Sequence, residues 1–181
     1  MSRRCVVVAG CGNPFRGDDQ VGLAVAERLA GRREPGLRVV CAAGDVTGIL
    51  DAFLSAVVDE TILVDAVHAP LPAGIVIRFD ADAAATEFGR YAGSSTHAFG
   101  VPELLDIAGV LGCLPRRVVI YGVVGSAFVL GQPMSPAVAA QVDHVAALVS
   151  REATWALRPG SAAAAAGGVG WEGVVACTSE H

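Results

Sequence analysis

Short apolar segments alternate along the chain with segments whose apolar residues recur at helical spacing. Val6–Ala9 is an apolar run that stops at Gly10, and it predicts a buried strand. Residues 19–31 carry Val21 and Val25 on one face and predict a helix. The alternation continues and predicts strands over Leu37–Ala42, Thr61–Ala66, Gly74–Phe79 and Arg117–Val123, and helices beginning at Thr47, over 102–112 and over 135–154.

Strands that alternate with helices are typical of an α/β sandwich with a mostly parallel sheet. The unbroken apolar run within Thr61–Ala66 favours a strand buried on both faces, whereas the alternating Gly74–Phe79 favours an edge strand. Ligands in such folds bind beyond the carboxyl ends of the strands. The loops after the first and third strands and the segment near His97 are therefore the places to look for a site.

The length and composition indicate one domain and a reducing compartment. The chain has 181 residues, and we expect a domain over 1–158 followed by a flexible, Ala- and Gly-rich tail over 159–181. No stretch approaches the roughly 20 apolar residues that span a bilayer. The apolar run after Arg3 and Arg4 lacks a signal-peptide cleavage site, and the five cysteines form no C-x-x-C pair. We therefore expect a cytoplasmic protein.

The charge pattern limits the class of partner. The net charge is −5, and all 13 basic residues are arginines that form no basic stripe. We therefore expect no nucleic-acid partner. We also expect a monomer that does not bind a membrane.

The loop that follows the first strand, Gly10-Cys-Gly-Asn-Pro-Phe-Arg-Gly17, invites comparison with nucleotide-binding loops. The dinucleotide fingerprint G-x-G-x-x-G fails because its third glycine would arrive too late, at Gly17. Gly12 and Gly17 have the glycine spacing of a P-loop, but Asp18 and Asp19 stand where that motif has Lys and Ser or Thr. Two carboxylates would repel a phosphate, so a nucleotide-binding module is the weaker alternative.

Three polar residues lie at the predicted strand ends. Helix capping can explain Asp18 and Asp19, but Asp18 is the better cap, and Asp19 in the first turn can instead point into the cleft. Asp65 ends a buried strand, where it either belongs to a site or caps a neighbouring loop, and His97 is either a ligand or a bystander before a helix. Two carboxylates and one imidazole suit a divalent ion such as nickel, zinc or iron if the fold brings them together. His68 is a weaker candidate for a site residue, because it is expected on a surface loop.

Three motifs in this order resemble those of the nickel–iron hydrogenase maturation proteases. The first is Gly10-x-Gly-Asn-x4-Asp-Asp-x2-Gly22, the second is Ile62-Leu-Val-Asp-Ala66, and the third is Thr96-His-x-Phe-Gly100. Their order and spacing fit the family over roughly residues 4–150. The resemblance implies a three-layer α/β sandwich in which a five-stranded, twisted sheet is flanked by helices.

The resemblance also implies an activity. Members of this family are endopeptidases that remove a C-terminal extension from the hydrogenase large-subunit precursor once nickel has been inserted. The nickel belongs to the substrate, and Asp19, Asp65 and His97 would contact it as the metal-binding and catalytic residues. The hypothesis is that docking positions the scissile bond for attack by water, with a carboxylate as general base. A non-catalytic assembly factor of the same family is a further alternative.

Two departures from the family pattern affect the predicted cleft. The family often has Asp-Gly-Gly-Thr near the second strand, where this chain has Cys41-Ala-Ala-Gly-Asp45. Asp19 replaces the commoner glutamate, which shortens the reach of the carboxylate by about 1.5 Å, one C–C bond. A change in substrate preference is the expected consequence.

Overall fold

A computed structural model describes residues 3–80 and 100–161. The described strands are β1 (Val6–Gly12), β2 (Leu37–Ala43), β3 (Glu60–Val67), β4 (Val76–Asp80) and β5 (Arg117–Val124). The described helices are α1 (Val21–Leu29), α2 (Thr47–Leu54), α3 (Val101–Val110), α4 (Pro136–Ala139) and α5 (Val142–Ala156). A 3-10 turn over Gly17–Gln20 leads directly into α1. Apart from the last predicted helix, the predicted elements are found within a few residues of their expected bounds.

The five strands form one sheet in the order β2-β1-β3-β5-β4. β1 pairs in parallel with β2 and with β3, and β3 pairs in parallel with β5. β4 pairs antiparallel with β5 at the edge, as its alternating pattern predicted. Because the chain leaves β1 toward one side for β2 and toward the other for β3, the sheet has a topological switch point at β1.

Helices cover both faces of the sheet and complete three layers. One apolar core joins the sheet to α1 and α5, and includes Val25 and Val145. The other joins the sheet to α2 and α3, and includes Ile49 and Leu104. β1 and β3 are buried on both sides, which explains their continuous apolar sequences. The predicted α/β sandwich is confirmed.

The helix expected over 135–154 is wrong as a single element. α4 ends at Ala139 and α5 begins at Val142, although apolar residues continue at helical spacing across the break. At the break, the Gln141 N–H donates to the Val138 carbonyl oxygen three residues back, at 2.9 Å, so the backbone tightens into a turn between the two helices. The spacing of apolar residues does not distinguish such a tightened turn from a continuous helix.

The end of the described chain packs against the fold. Ser161 is buried, its hydroxyl bonds the carbonyl oxygen of Ala156 at 3.0 Å, and Arg4 donates to its carbonyl at 2.6 Å. The tail prediction beyond residue 161 lies outside the described residues. Over residues 3–80 and 100–161, no helix combines the length and the apolar character needed to cross a membrane.

Candidate active site

Two glycines bring the start of α1 into direct contact with the sheet. A Cβ at Gly10 would lie 1.9 Å from the carbonyl oxygen of Gly22, and a Cβ at Gly22 would lie 2.3 Å from the carbonyl oxygen of Val64. No side chain fits at such distances, so only glycine allows the helix to approach β1 and β3 this closely. The residues just before α1 are thereby held at the carboxyl ends of these strands.

Asp19 and Asp65 lie at this switch point. Asp19 belongs to the 3-10 turn, and a Cβ at Gly12 would lie 1.8 Å from its carbonyl oxygen, so its backbone sits directly on the end of β1. The Asp19 residue is nearly buried, at 6% exposure. Asp65 lies in the carboxyl-terminal half of β3, is half-buried, and accepts a 2.9 Å hydrogen bond from the Ala66 backbone N–H. Both predicted carboxylates therefore occupy one end of the sheet.

The electrostatics show that these two carboxylates are close enough to repel each other. Burial and the negative charge of Asp19 raise the pKa of Asp65 from 3.8 to about 7, although the Ala66 N–H partly offsets the rise. Asp65 therefore changes its charge near neutral pH. A perturbed carboxylate beside a second carboxylate, at a strand end, is a common feature of a functional site.

Cys11 lies beside this pair, and its thiol is buried. Burial, and then the charges of Asp65 and Asp19, raise the pKa of Cys11 well above its ordinary value. A thiol in this setting stays protonated, whereas a nucleophilic cysteine needs the thiolate. The geometry thus gives no support to a cysteine mechanism.

Asp18 has a different role from the helix cap that its position suggested. Its carboxylate is fully buried and accepts backbone N–H bonds from Ser126 at 2.8 Å, Ala127 at 2.9 Å and Ser135 at 2.6 Å. Burial opposes ionisation, but these backbone donors outweigh it and lower the pKa of Asp18. Asp18 therefore ties the 3-10 turn to the loop over residues 125–135, and it positions Asp19 next to it. The predicted capping role was wrong, because the Asp18 carboxylate bonds backbone amides more than 100 residues away and none in the turn that follows it.

We expect Asp18→Asn to lower the free energy of unfolding by about 2–4 kcal/mol, because the amide NH₂ replaces an oxygen that accepts buried N–H groups. Urea unfolding followed by circular dichroism measures this loss. Asp51→Asn in α2 is the matched control, since Asp51 is exposed and should change stability by less than about 0.5 kcal/mol. Equal stability of the two variants would contradict the anchoring role.

The backbone amides at the glycine-rich turn after β1 are already used within the protein, where a phosphate loop would aim them at its ligand. The backbone N–H groups of residues 16–19 donate to carbonyl oxygens within the protein, namely Arg16 to Asn13, Gly17 to Gln132, Asp18 to Ala127, and Asp19 to Arg16. A phosphate loop needs such amides to point at the ligand. The structure therefore disfavours the nucleotide-binding alternative.

The segment that departs from the family pattern contacts the site loop. Gly44 adopts a positive φ of +84° and its N–H donates to the Gly12 carbonyl oxygen at 2.9 Å. Asp45 accepts hydrogen bonds from the Thr47 N–H and hydroxyl, which fix the start of α2 and lower the pKa of Asp45. Gly44 thus preserves a turn at the cleft despite the altered sequence around it.

The raised pKa of Asp65 predicts how stability depends on pH. Below about pH 4 the Asp65 carboxyl is protonated in both the folded and the unfolded protein. Between pH 4 and 7 only the unfolded protein loses this proton, so the free energy of unfolding falls as pH rises. We expect Asp65→Asn to be more stable than the original protein by about 2 kcal/mol above pH 7, since the amide carries no charge and Asp65 is partly screened. The difference should vanish near pH 4. Urea unfolding at pH 4.5 and 8, with chelator present, tests this, and a pH-independent difference would contradict it.

The third predicted residue, His97, lies outside the described residues. Within residues 3–80 and 100–161, no group of three or more His, Cys, Asp or Glu side chains is arranged to hold a metal ion. His68 is exposed and its ring contacts Phe128, with the centroids 6.1 Å apart. The structure thus places two of the three predicted residues together.

A comparison with protein families decides the assignment. The family model described as HycI, hydrogenase maturation protease, matches residues 23–152. The chain belongs to this hydrogenase maturation protease family. Membership makes the chain a peptidase, a hydrolase of peptide bonds, that acts on the hydrogenase large-subunit precursor. The matched range includes Asp65 and His97 and begins after Asp19.

Solved structures of maturation proteases share the fold. HycI from Thermococcus kodakarensis is 21% identical, with 85% of this chain and 95% of that chain covered and a TM-score of 0.67. HybD from E. coli, a hydrogenase maturating endopeptidase, is 20% identical, with 82% of this chain and 91% of that chain covered and a TM-score of 0.68. An endopeptidase from Escherichia coli is 20% identical, with 80% of this chain and 89% of that chain covered and a TM-score of 0.70. No curated protein sequence matches the chain.

Proposed function

We propose that this hydrogenase maturation protease removes the C-terminal extension of a nickel–iron hydrogenase large-subunit precursor after nickel insertion. Asp19, Asp65 and His97 contact the nickel of the precursor, so metal loading is the signal for cleavage. The observation that carries the proposal is the pair of mutually repelling carboxylates at the switch point of the sheet. The pair suits a cationic group of the substrate.

The donor chemistry fits a divalent ion held by the substrate. Two carboxylates that repel each other in the free protein would both be attracted to a cation between them. Binding would favour the ionised form of Asp65, whose proton is lost near neutral pH. An O,O,N set leaves positions on nickel for the ligands that the precursor supplies.

Once the precursor is docked, cleavage needs a base and a fixed peptide bond. Water attacks the scissile carbonyl carbon, a carboxylate of the pair accepts the proton, and that proton passes to the leaving amine. Cys11, with its protonated thiol, takes no part.

The remaining expectations belong to the same proposal. The protein acts in the cytoplasm as a monomer, with neither nucleic acid nor a membrane as a partner. The domain, expected over 1–158, extends at least to Ser161, which is buried and bonded to Arg4, and the expected tail follows it.

The decisive experiment incubates the purified protein with nickel-loaded and with nickel-free precursor, followed by mass spectrometry. We expect the mass of the C-terminal extension to be lost from the nickel-loaded precursor only. Cleavage of both forms would contradict nickel recognition. Binding without cleavage of either form would instead identify a non-catalytic assembly factor.

A further inference from the structure

Two tight turns beside the candidate site expose apolar side chains at their tips. The first spans residues 13–16, where the Arg16 N–H donates to the Asn13 carbonyl oxygen at 3.2 Å, and it presents Phe15 with 69% of its surface exposed. The second spans residues 129–132, where the Gln132 N–H donates to the Val129 carbonyl oxygen at 3.3 Å, and it presents Leu130 with 70% exposed. We call residues 13–16 and 129–132 the turn pair.

Hydrogen bonds join the two turns into one rigid unit. The Gly131 N–H donates to the Phe15 carbonyl oxygen at 2.6 Å, and the Gly17 N–H donates to the Gln132 carbonyl oxygen at 3.1 Å. The Arg16 side chain donates to the Phe128 carbonyl oxygen at 2.9 Å. Phe15 and Leu130 therefore stand on adjacent, mutually bonded backbone segments.

The composition of the turn pair is unusual for turns. Turn positions favour Gly, Pro, Asn, Asp and Ser, each for a backbone reason, and Asn13, Pro14 and Gly131 meet those needs. Neither Phe15 nor Leu130 serves the turn, and each leaves apolar surface in water. Exposed apolar side chains on two turns that hydrogen bonds join are therefore a candidate interaction surface.

The turn pair is continuous with the candidate active site. Asp18 bonds the loop that carries Leu130, through the N–H groups of Ser126 and Ala127, and its neighbour is Asp19. The first turn joins the 3-10 turn of Asp19 without a break, because the Asp19 N–H donates to the Arg16 carbonyl oxygen at 3.1 Å. A chain bound at the carboxylate pair would pass next to Phe15 and Leu130.

We propose that the turn pair is a docking surface for an apolar segment of the precursor polypeptide, held there by Phe15 and Leu130 while the cleavage site lies at Asp19 and Asp65. This inference rests on the proposed function. A second copy of the chain is the weaker occupant, since a stable dimer buries roughly 1,200–2,000 Å² and the patch offers only a few side chains. Continuity with the carboxylate pair favours the substrate.

The test measures binding and cleavage separately, with Phe15→Ser, Leu130→Ser and the double variant. Binding of nickel-loaded precursor is measured by calorimetry, and kcat and KM by mass spectrometry. Val57→Ser is the matched control, because Val57 is 77% exposed and lies between α2 and β3, at the opposite end of the sheet. Circular dichroism checks that each variant is folded. We expect all of them to fold, because Phe15, Leu130 and Val57 are exposed.

We expect the double variant to raise Kd and KM by on the order of 10- to 100-fold, with kcat nearly unchanged and the control unaffected. An unchanged Kd in the double variant, or no binding by the original protein, overturns the docking surface. If the original protein binds the precursor but does not cut it, the proposed function fails, and the Kd of the double variant still decides the docking surface. An equal loss in Val57→Ser also overturns it.

Discussion

Asp65→Asn and Asp19→Asn should each lower the rate of precursor processing by at least about 10³-fold, or roughly 4 kcal/mol of transition-state stabilisation. Each variant removes one of two carboxylates that the structure holds at the switch point, and an amide is a poor metal ligand and no general base. His97→Ala should have a similar effect if it completes the proposed set. Mass spectrometry over time measures how fast the nickel-loaded precursor loses its C-terminal extension.

Matched variants separate chemistry from folding. Asp65→Asn retains the size of the side chain and the oxygen that accepts the Ala66 N–H, and we expect it to be at least as stable as the original protein at neutral pH. Asp51→Asn removes an exposed carboxylate in α2 and should process the precursor at the original rate. A processing rate equal to that of the original protein in any of the three site variants would exclude that residue from the site.

Gly10→Ala or Gly22→Ala should prevent stable folding. The added Cβ would lie 1.9 Å from the Gly22 carbonyl oxygen in the first case, and 2.2 Å from the Cys11 and 2.3 Å from the Val64 carbonyl oxygens in the second. The atoms in the way are backbone, so relief requires α1 to move off β1 and β3. We expect a loss of about 4 kcal/mol or more, a large part of the 5–15 kcal/mol that stabilises a typical domain.

Gly109→Ala is the control for this prediction. Gly109 lies in α3, and nothing stands within 4 Å of the Cβ that the substitution adds. Alanine in a helix is favoured over glycine, so this variant should gain about 0.5–1 kcal/mol. Thermal and urea unfolding, followed by circular dichroism, compares the three glycine variants with the original protein. A normally folded Gly22→Ala protein would show that α1 tolerates a wider separation from the sheet than the structure has.

The strands could be predicted from the sequence because burial on both faces leaves a local mark. β1 and β3 carry unbroken apolar runs, and β4 carries the alternation of an edge strand, so their kinds and approximate bounds followed from residue order alone. The break between α4 and α5 left no such mark. At the break the Gln141 N–H bonds the Val138 carbonyl oxygen three residues back, while apolar residues continue at helical spacing on both sides.

The candidate site was only half predictable for the same reason. Asp65 stood out because a carboxylate at the end of a buried strand needs a partner or a function, and Asp19 because capping explains only one acid of its pair. The sequence assigned Asp18 the simpler role of a helix cap, yet its carboxylate joins two loops and supports Asp19 from behind. The exposed pair Phe15 and Leu130 gave no signal in the sequence, since their adjacency depends on backbone hydrogen bonds between distant turns.

The sequence by itself determined the α/β class, the order of the strands along the chain, the three motifs and the family they resemble, because each is encoded in local spacing. The tertiary structure alone decided that Asp19 and Asp65 meet at one end of the sheet and that their repulsion moves the pKa of Asp65 to about 7. It also decided that Asp18 is an anchor. Charge repulsion, burial and hydrogen bonding depend on distance in space, and residues that are 46 or 108 positions apart acquire that distance only when the chain folds.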